Sequence, residues 1–332
     1  MNSIAQSSCS QVLKEAQKSY EQGNLETIPD KLSGCLSNGF TKIEMLQAYR
    51  LVILSHLFLD NLQEAERSMY QLLRFEPDYK PNDALDPIEY TNLYRSFRVQ
   101  PLVSFGALVG VNRSSPRVIT NYGTGNTSSN PTRYFPGTNF NFGITLDIAI
   151  YKKLYATVDA LYTSKSYSSI SSVIPNVSEV TSNEALSNID LPFTLKYHPG
   201  NRKLRVFIRG GAAAHLMLSS GSQVIRRDIN KGQNEFDGPN VDFKSQRTPL
   251  NFSAVVGGGL TYKLGYGFLT LDARYFYGLT NIAASEKRYE NYLTQITNYG
   301  YLDNDFYLDN IMLNVGYMYS IYSVKKNKKT IY

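Results

Sequence analysis

From Pro101 to Tyr322 the chain alternates. In Phe140-Asn141-Phe142-Gly143-Ile144-Thr145-Leu146-Asp147-Ile148 every even-numbered residue is apolar and every odd-numbered one is polar or small. Successive side chains of a strand point to opposite faces, so such a segment has one oily face and one wet face. Eight segments of this kind can be placed, at 102–112, 138–151, 154–164, 187–198, 204–219, 250–264, 268–280 and 308–322.

The gaps between them are alternately long and short. Lys152-Lys153, Pro199-Gly200-Asn201-Arg202-Lys203 and Gly265-Tyr266-Gly267 have the composition of tight turns. The other four gaps are long and rich in Ser, Asn, Gly and Thr. Short turns on one side and long loops on the other are the pattern of an outer-membrane β-barrel. The expected topology puts the three turns and both chain ends in the periplasm. The loops around Asn126, Val177, Asn234 and Tyr292 are then extracellular.

Composition agrees with that reading. No apolar run is long enough for a membrane helix, and a barrel needs none because only alternate side chains meet lipid. A mean hydropathy of −0.30 is therefore compatible with a membrane protein. The 26 Tyr and 16 Phe suit aromatic girdles, although Trp is absent. The formal charge of +6 includes no basic stripe with interleaved aromatics, so no nucleic-acid partner is expected. The expected lipid partner is the outer membrane itself.

The wet face holds Asp147, Asp159, Asp190, Lys196, Arg205, Arg209, His215, Lys263, Asp272 and Arg274. Eight strands enclose only enough room for side chains, and ionised groups buried there must pair. A filled, salt-bridged interior is expected, with a narrow proton or ion path as the alternative. A soluble lipocalin-like barrel would place its oily face inward, and the crowded charged face argues against it.

Chemistry has few candidates. His56 falls in an apolar helix and His198 at a turn. His215 and Ser219 share the expected inner face of one strand, too far apart along it for a nucleophile and its base. No metal-ligand spacing, P-loop or dinucleotide fingerprint is present, so no catalytic, metal or cofactor residue is assigned. Gly257-Gly258-Gly259 reads as a bend or a close-packing site.

The first hundred residues are different. Apolar residues at helical spacing predict helices over 10–22, 27–36, 42–59, 62–75 and 87–97. Residues 1–8 lack the charged and apolar regions of a signal peptide and are expected to be a disordered start or a remnant of one. Ala65 and Pro77, with a looser Ala16 and Gly23, resemble tetratricopeptide repeats. Cys9 opens the first helix and Cys35 lies near the end of the second, ends that meet in an antiparallel hairpin. A disulfide is expected there, implying an oxidising compartment, with two buried thiols as the alternative. The fold class expected is thus a two-domain α+β chain. A helical repeat-like domain at 9–99 precedes an eight-stranded antiparallel transmembrane β-barrel at 100–323, and a basic periplasmic tail follows at 324–332.

Specific text within the alternation adds a resemblance. Ile189-Asp190-Leu191-Pro192-Phe193-Thr194-Leu195-Lys196-Tyr197-His198, the following Gly210-Gly211-Ala212-Ala213-Ala214, and Tyr275-Phe276-Tyr277-Gly278-Leu279 are similar to PorT-like outer-membrane barrels of Bacteroidota. Asp190 and Leu191 intrude relative to the compact form of that motif. The front half, with Cys9, Cys35, Gly39-Phe40, Ala48-Tyr49, Pro77 and Asp86-Pro87, resembles a helical-repeat module carried by some of these barrels. The resemblance implies envelope machinery, such as type IX secretion or gliding motility. The expected role is a non-enzymatic anchor whose residues 9–99 dock a periplasmic or outer-membrane protein. A surface receptor using the loop aromatics Tyr289, Tyr292, Tyr299 and Tyr301 is the alternative, and a lipid-modifying enzyme is a third.

Overall fold

The computed structural model describes residues 2–122, 131–151, 153–174, 177–200, 204–229, 234–265, 267–288 and 299–326. The chain forms two compact units. One holds the helices together with β-strand residues up to Leu102 and from Ile321 onward, and the other holds Val103–Ser320.

The helical unit contains α1 (Asn2–Glu21), α2 (Ile28–Asn38), α3 (Lys42–Phe58), α4 (Leu62–Phe75) and α5 (Ile88–Arg95). α1 begins at Asn2, so the segment expected to be a disordered start or a signal-peptide remnant is helical from that residue. α2 tolerates Pro29 because the amides of a first turn have no intrahelical acceptor. α3 starts at a capping box: Thr41 accepts from the Glu44 amide while Glu44 accepts from the Thr41 amide. The buried residues of α3 include the consecutive run Leu51, Val52, Ile53, Leu54 and Ser55, as expected of a helix enclosed by others. It is shared by two clusters. Ala48, Leu51 and Val52 pack with Leu13, Ala16, Ile28 and Leu32, while Ile53 and Leu54 pack with Met69, Leu72, Leu73 and Tyr90.

Cys9 and Cys35 form a disulfide across a sequence separation of 26. Closing a loop of that length stabilises the fold by about 3 kcal/mol in the chain-entropy account. Gly39 belongs to this joint, because a Cβ there would strike the Cys9 sulfur. Strand residues complete the second cluster: Phe97, Val99 and Val324 pack against it, and Lys326 pairs with Glu66. The two units divide at Leu102/Val103 and at Ser320/Ile321, close to the expected 99 and 324. The segment expected as a basic tail starts as strand and supplies part of the helical unit's core.

The strands are β1 (Phe97–Thr120), β2 (Arg133–Pro136), β3 (Thr138–Tyr151), β4 (Leu154–Ile174), β5 (Ser178–Tyr197), β6 (Leu204–Asp228), β7 (Asn234–Asp242), β8 (Leu250–Leu264), β9 (Gly267–Gly278) and β10 (Asp305–Lys326). They form one sheet in the order β2-β4-β3-β1-β10-β9-β8-β6-β5. An additional β4–β5 pairing joins the sheet to itself, and β7 pairs with β6. All ladders with a described register are antiparallel, from Val103↔Ile148 between β1 and β3 to Leu264↔Gly267 between β8 and β9. The structure is consistent with a β-barrel.

β3 and β8 have the expected bounds, but four strands run far beyond theirs. β1, β4, β5 and β6 continue through the segments expected as loops after 112, after 164, before 187 and after 219. The reason lies on their outer faces. On β5 the outward side chains from Tyr197 back to Ile189 are aromatic or aliphatic, and from Ser187 back to Glu179 they are Ser, Ala, Asn, Thr and Glu. On β4 the same change falls between Tyr162 and Ser164, and Tyr162 pairs with Ile189. Beyond that level both faces are mostly polar, and the oily–wet signal disappears while the ladder continues. Below it, exposed Phe142, Ile144, Ile148, Phe193, Leu195, Ile208, Leu271 and Leu313 belong to an apolar belt.

Candidate functional site

The inward side chains of this sheet are stratified. Reading up β6 from its start gives Phe207, Arg209, Ala213, His215, Met217 and Val224, all buried. Reading down β10 towards its end gives Phe306, Leu308, Asn310, Met312, Asn314 and Met318. The two sequences match level by level: polar and apolar layers alternate through the interior.

The lowest polar layer is ionic. Lys196 Nζ lies 2.7 Å from Asp147, which also accepts from Thr157 at 2.6 Å. Arg209 lies 3.3 Å from Asp159 and 3.4 Å from Asp272. Arg274 lies 2.6 Å from Asp159 and 2.7 Å from Asp272. The three cations and three carboxylates are all buried. Gly257 stands in register between Arg209 and Arg274. A Cβ there would strike the Ala273 carbonyl, so the glycine is a close-packing position between the two arginines. Arg205 and Lys263 are half-buried instead, with their charges 4.2 and 5.9 Å from the centre of the Phe268 ring.

An apolar layer follows: Leu108, Leu161, Ala213, Val255, Phe276 and Met312 form one buried cluster. Above it sits a second polar layer. His215 Nδ1 lies 2.7 Å from Asp190 Oδ1, and Nε2 lies 2.8 Å from Ser253 Oγ. Lys165 Nζ is 3.2 Å from Asp190. This arrangement corrects the sequence reading of His215 in two ways. A bulge at Ser187/Asn188 pairs Ser187 with Ser219 and Asn188 with Met217, which turns Ser219 to the exposed face, where it bonds Ser187. The serine within reach of His215 comes instead from β8, and Asp190 of β5 orients the ring. Strand register brought them together, and one strand's text carries no record of that.

Above this layer, loop residues pair with strand residues. Arg247 is buried and gives Glu184 two hydrogen bonds, at 2.7 Å from Nε and 2.6 Å from Nη2, while Nη1 pairs with Asp303. Such forked geometry suits a buried guanidinium. Tyr167 and Ser220 also donate to Glu184, at 2.5 and 2.8 Å. Burial pushes the Asp303 carboxyl up, against the pull of Arg247. Tyr167, Leu186, Met217, Ile282, Ala283, Phe306 and Leu308 pack beneath, and Val180, Val224, Phe243 and Tyr301 pack as another cluster. Lys165, Glu184, Arg247, Ser253 and Asp303 were all missed by the sequence reading. Lys165, Glu184, Arg247 and Asp303 lie in segments expected as loops.

Of the loop aromatics, Tyr289 and Tyr292 lie outside the described residues. Tyr299 donates to the Asp237 carbonyl at 3.5 Å. Tyr301 is buried, stacked on Phe243 at 6.1 Å, and burial holds its hydroxyl well above the usual tyrosine range. Tyr301 thus faces the interior, where it presents no surface to an external ligand. Among the described residues no group of three or more His, Cys, Asp or Glu is arranged to hold a metal.

A family model described as outer membrane protein beta-barrel domain matches residues 95–284. No curated protein matches the chain. Among solved structures it is similar to the outer membrane protein OprG from Pseudomonas aeruginosa, at 11% identity and a TM-score of 0.36, covering 66% of this chain and 96% of that one. It is also similar to Ail, the attachment invasion locus protein of Yersinia pestis, at 12% identity and a TM-score of 0.28, covering 66% and 99%. The outer membrane protease OmpT from Escherichia coli matches at 11% identity and a TM-score of 0.28, covering 67% and 96%.

Proposed function

The chain belongs to the family of outer membrane protein beta-barrel domains, and from that premise we propose that it is a non-enzymatic mount. An eight-stranded transmembrane barrel, the circuit β4-β3-β1-β10-β9-β8-β6-β5, holds it in the lipid. The helical unit lies in the periplasm and docks a protein of the cell envelope. The resemblance to PorT-like barrels points to a secretion or gliding machine as the setting.

The observation that carries this reading is the filled interior. A proton or ion path needs continuous polar lining, and the cluster of Leu108, Leu161, Val255, Phe276 and Met312 separates the two polar layers. The Arg247–Glu184–Asp303 ion pairs close the mouth above. Eight strands leave no further lumen. With transport disfavoured, recognition falls to the outer surfaces. The helical unit exposes Ile43, Phe58, Leu59, Leu62, Leu85 and Ile88, apolar surface available to a partner.

The test uses the full chain, because Phe97, Val99 and Val324 contribute to the helical unit's core. A photo-crosslinking residue at Phe58 in intact envelopes should capture a periplasmic or membrane protein. The same residue at Phe193, in the apolar belt, should capture lipid. Equal capture of lipid at both positions would sink the reading, and so would steady ion conductance of the purified chain in planar bilayers. The second reading, a surface receptor or adhesin, draws on the polar upper parts of β4, β5 and β6. Shortening the β4–β5 hairpin beyond Ser164 leaves the Phe58 adduct intact under the first reading and abolishes surface binding under the second.

A further inference from the structure

The hydrogen bonds joining Asp190, His215 and Ser253 have the order of an acyl-transfer relay, carboxylate to imidazole to hydroxyl. What lies beside Ser253 decides their use. Lys165, Asn188, His215, Asn251, Ser253, Phe276 and Asn310 are among the residues around a cavity of about 10 Å³. That is the space a single water needs, and no acyl group enters it.

The cavity walls carry unanswered polar atoms. Asn310 is 2% exposed, and neither its amide oxygen nor its amide nitrogen has a protein partner. Asn251 is 3% exposed; its amide nitrogen donates to the Thr248 carbonyl at 2.7 Å, and its oxygen has no partner. Leaving such groups unbonded costs about 1–3 kcal/mol each, and buried polar atoms almost always find a partner. The charges nearby are already matched, Lys165 lying against Asp190, so the cavity offers an ion no net attraction.

We propose that this cavity is a binding site for one water molecule, which accepts from Asn310 and donates to Asn251 and Ser253. With His215 Nδ1–H donating to Asp190, Nε2 accepts a hydrogen bond from the Ser253 hydroxyl, and the serine oxygen presents its lone pairs to the water. The relay ends on that bound water, and its role is to hold β5, β6, β8 and β10 together through one polar chain. The serine is not a nucleophile.

Asn310→Leu tests this in the full-length protein. Leucine keeps the branching and the heavy-atom count of asparagine and takes no hydrogen bond. If a water is bound, the substitution strips it of a partner and lowers the thermal midpoint. If none is bound, the substitution removes two unsatisfied polar atoms and the midpoint stays or rises, which overturns the proposal. A crystal structure that shows waters should place one within hydrogen-bond distance of Asn310 and Asn251; density showing those amides bonded to protein groups instead would also overturn it. A fluorophosphonate probe should leave Ser253 unlabelled. Labelling that Ser253→Ala abolishes would show a reachable nucleophile and sink the assignment.

Discussion

The two units of this chain are built inside out with respect to each other. In the helical unit, Ala16, Ile28, Leu32, Ile53, Met69 and Leu72 are buried, while Glu15, Lys18, Glu21 and Arg67 are exposed. In the sheet unit, Lys196, Arg209 and Arg274 are buried and Ile144, Phe193, Leu195, Ile208 and Leu271 are exposed. One chain obeys opposite rules because its parts face different solvents. Water drives the helical core together by the hydrophobic effect. In lipid, apolar side chains gain nothing by turning inward, and backbone and charged groups must be satisfied within the fold. The helical unit is therefore held by apolar packing and a disulfide, and the sheet unit by ladders and matched charges.

The comparison breaks first at Arg274. Arg274→Met keeps volume but leaves Asp159 and Asp272 short of a cation, and losing one partner of a buried pair costs about 3–5 kcal/mol. Urea unfolding in lipid vesicles should show that loss. An unchanged midpoint would mean the ion pairs do not hold the barrel together. The same polar-to-apolar exchange at exposed Arg67 of α4 should stay within about 0.5 kcal/mol.

Next comes the reverse substitution. In the helical unit Leu72→Ala removes a fully buried side chain and should cost about 2–5 kcal/mol. In the sheet unit the sensitive apolar positions are the exposed ones. Phe193→Arg, in the middle of the belt on β5, should cost about 2–4 kcal/mol in a bilayer. In detergent micelles, where water reaches the belt more easily, that penalty should shrink. An equal penalty in both would indicate that Phe193 packs against protein and does not meet lipid.

The same difference in solvent explains how far the sequence could be read. β3 and β8 were placed to the residue, because each strand crosses the apolar belt and little else. The upper parts of β1, β4, β5 and β6 escaped, since serine or arginine on the outer face and serine, lysine or glutamate on the inner one alternate without any change in polarity. β1 and β10 were read short at the ends that enter the helical unit, where Phe97, Val99 and Val324 pack against helices instead of lipid. The charged residues of the lower layer were legible as a face, because Asp147, Asp159, Lys196, Arg209, Asp272 and Arg274 keep strand period. Their pairing was not, because register between strands is set by turns and bulges. The Ser187/Asn188 bulge alone reverses the side to which Ser219 points.

The smallest effect separates the units by pH. Tyr90 is buried in the helical unit, and its hydroxyl is hydrogen-bonded to Tyr79 at 2.8 Å. Burial first, and then the neighbouring Tyr79, raises its ionisation well above the usual tyrosine range. In the unfolded chain the phenol loses its proton near pH 10, while in the folded chain it keeps it. The folded state therefore binds more protons above that pH, and stability must fall as pH rises through it. The contribution is complete below about pH 10 and disappears progressively above. Tyr90→Phe costs about 1 kcal/mol at neutral pH through the lost hydrogen bond, but removes this alkaline slope. The helical circular dichroism of the variant should persist to higher pH than that of the parent, while the strand signal of both stays unchanged over the same range. Coincident loss of helix and strand signals in the parent would show that the two units unfold together, and the contrast between their cores would then be one of construction without independence.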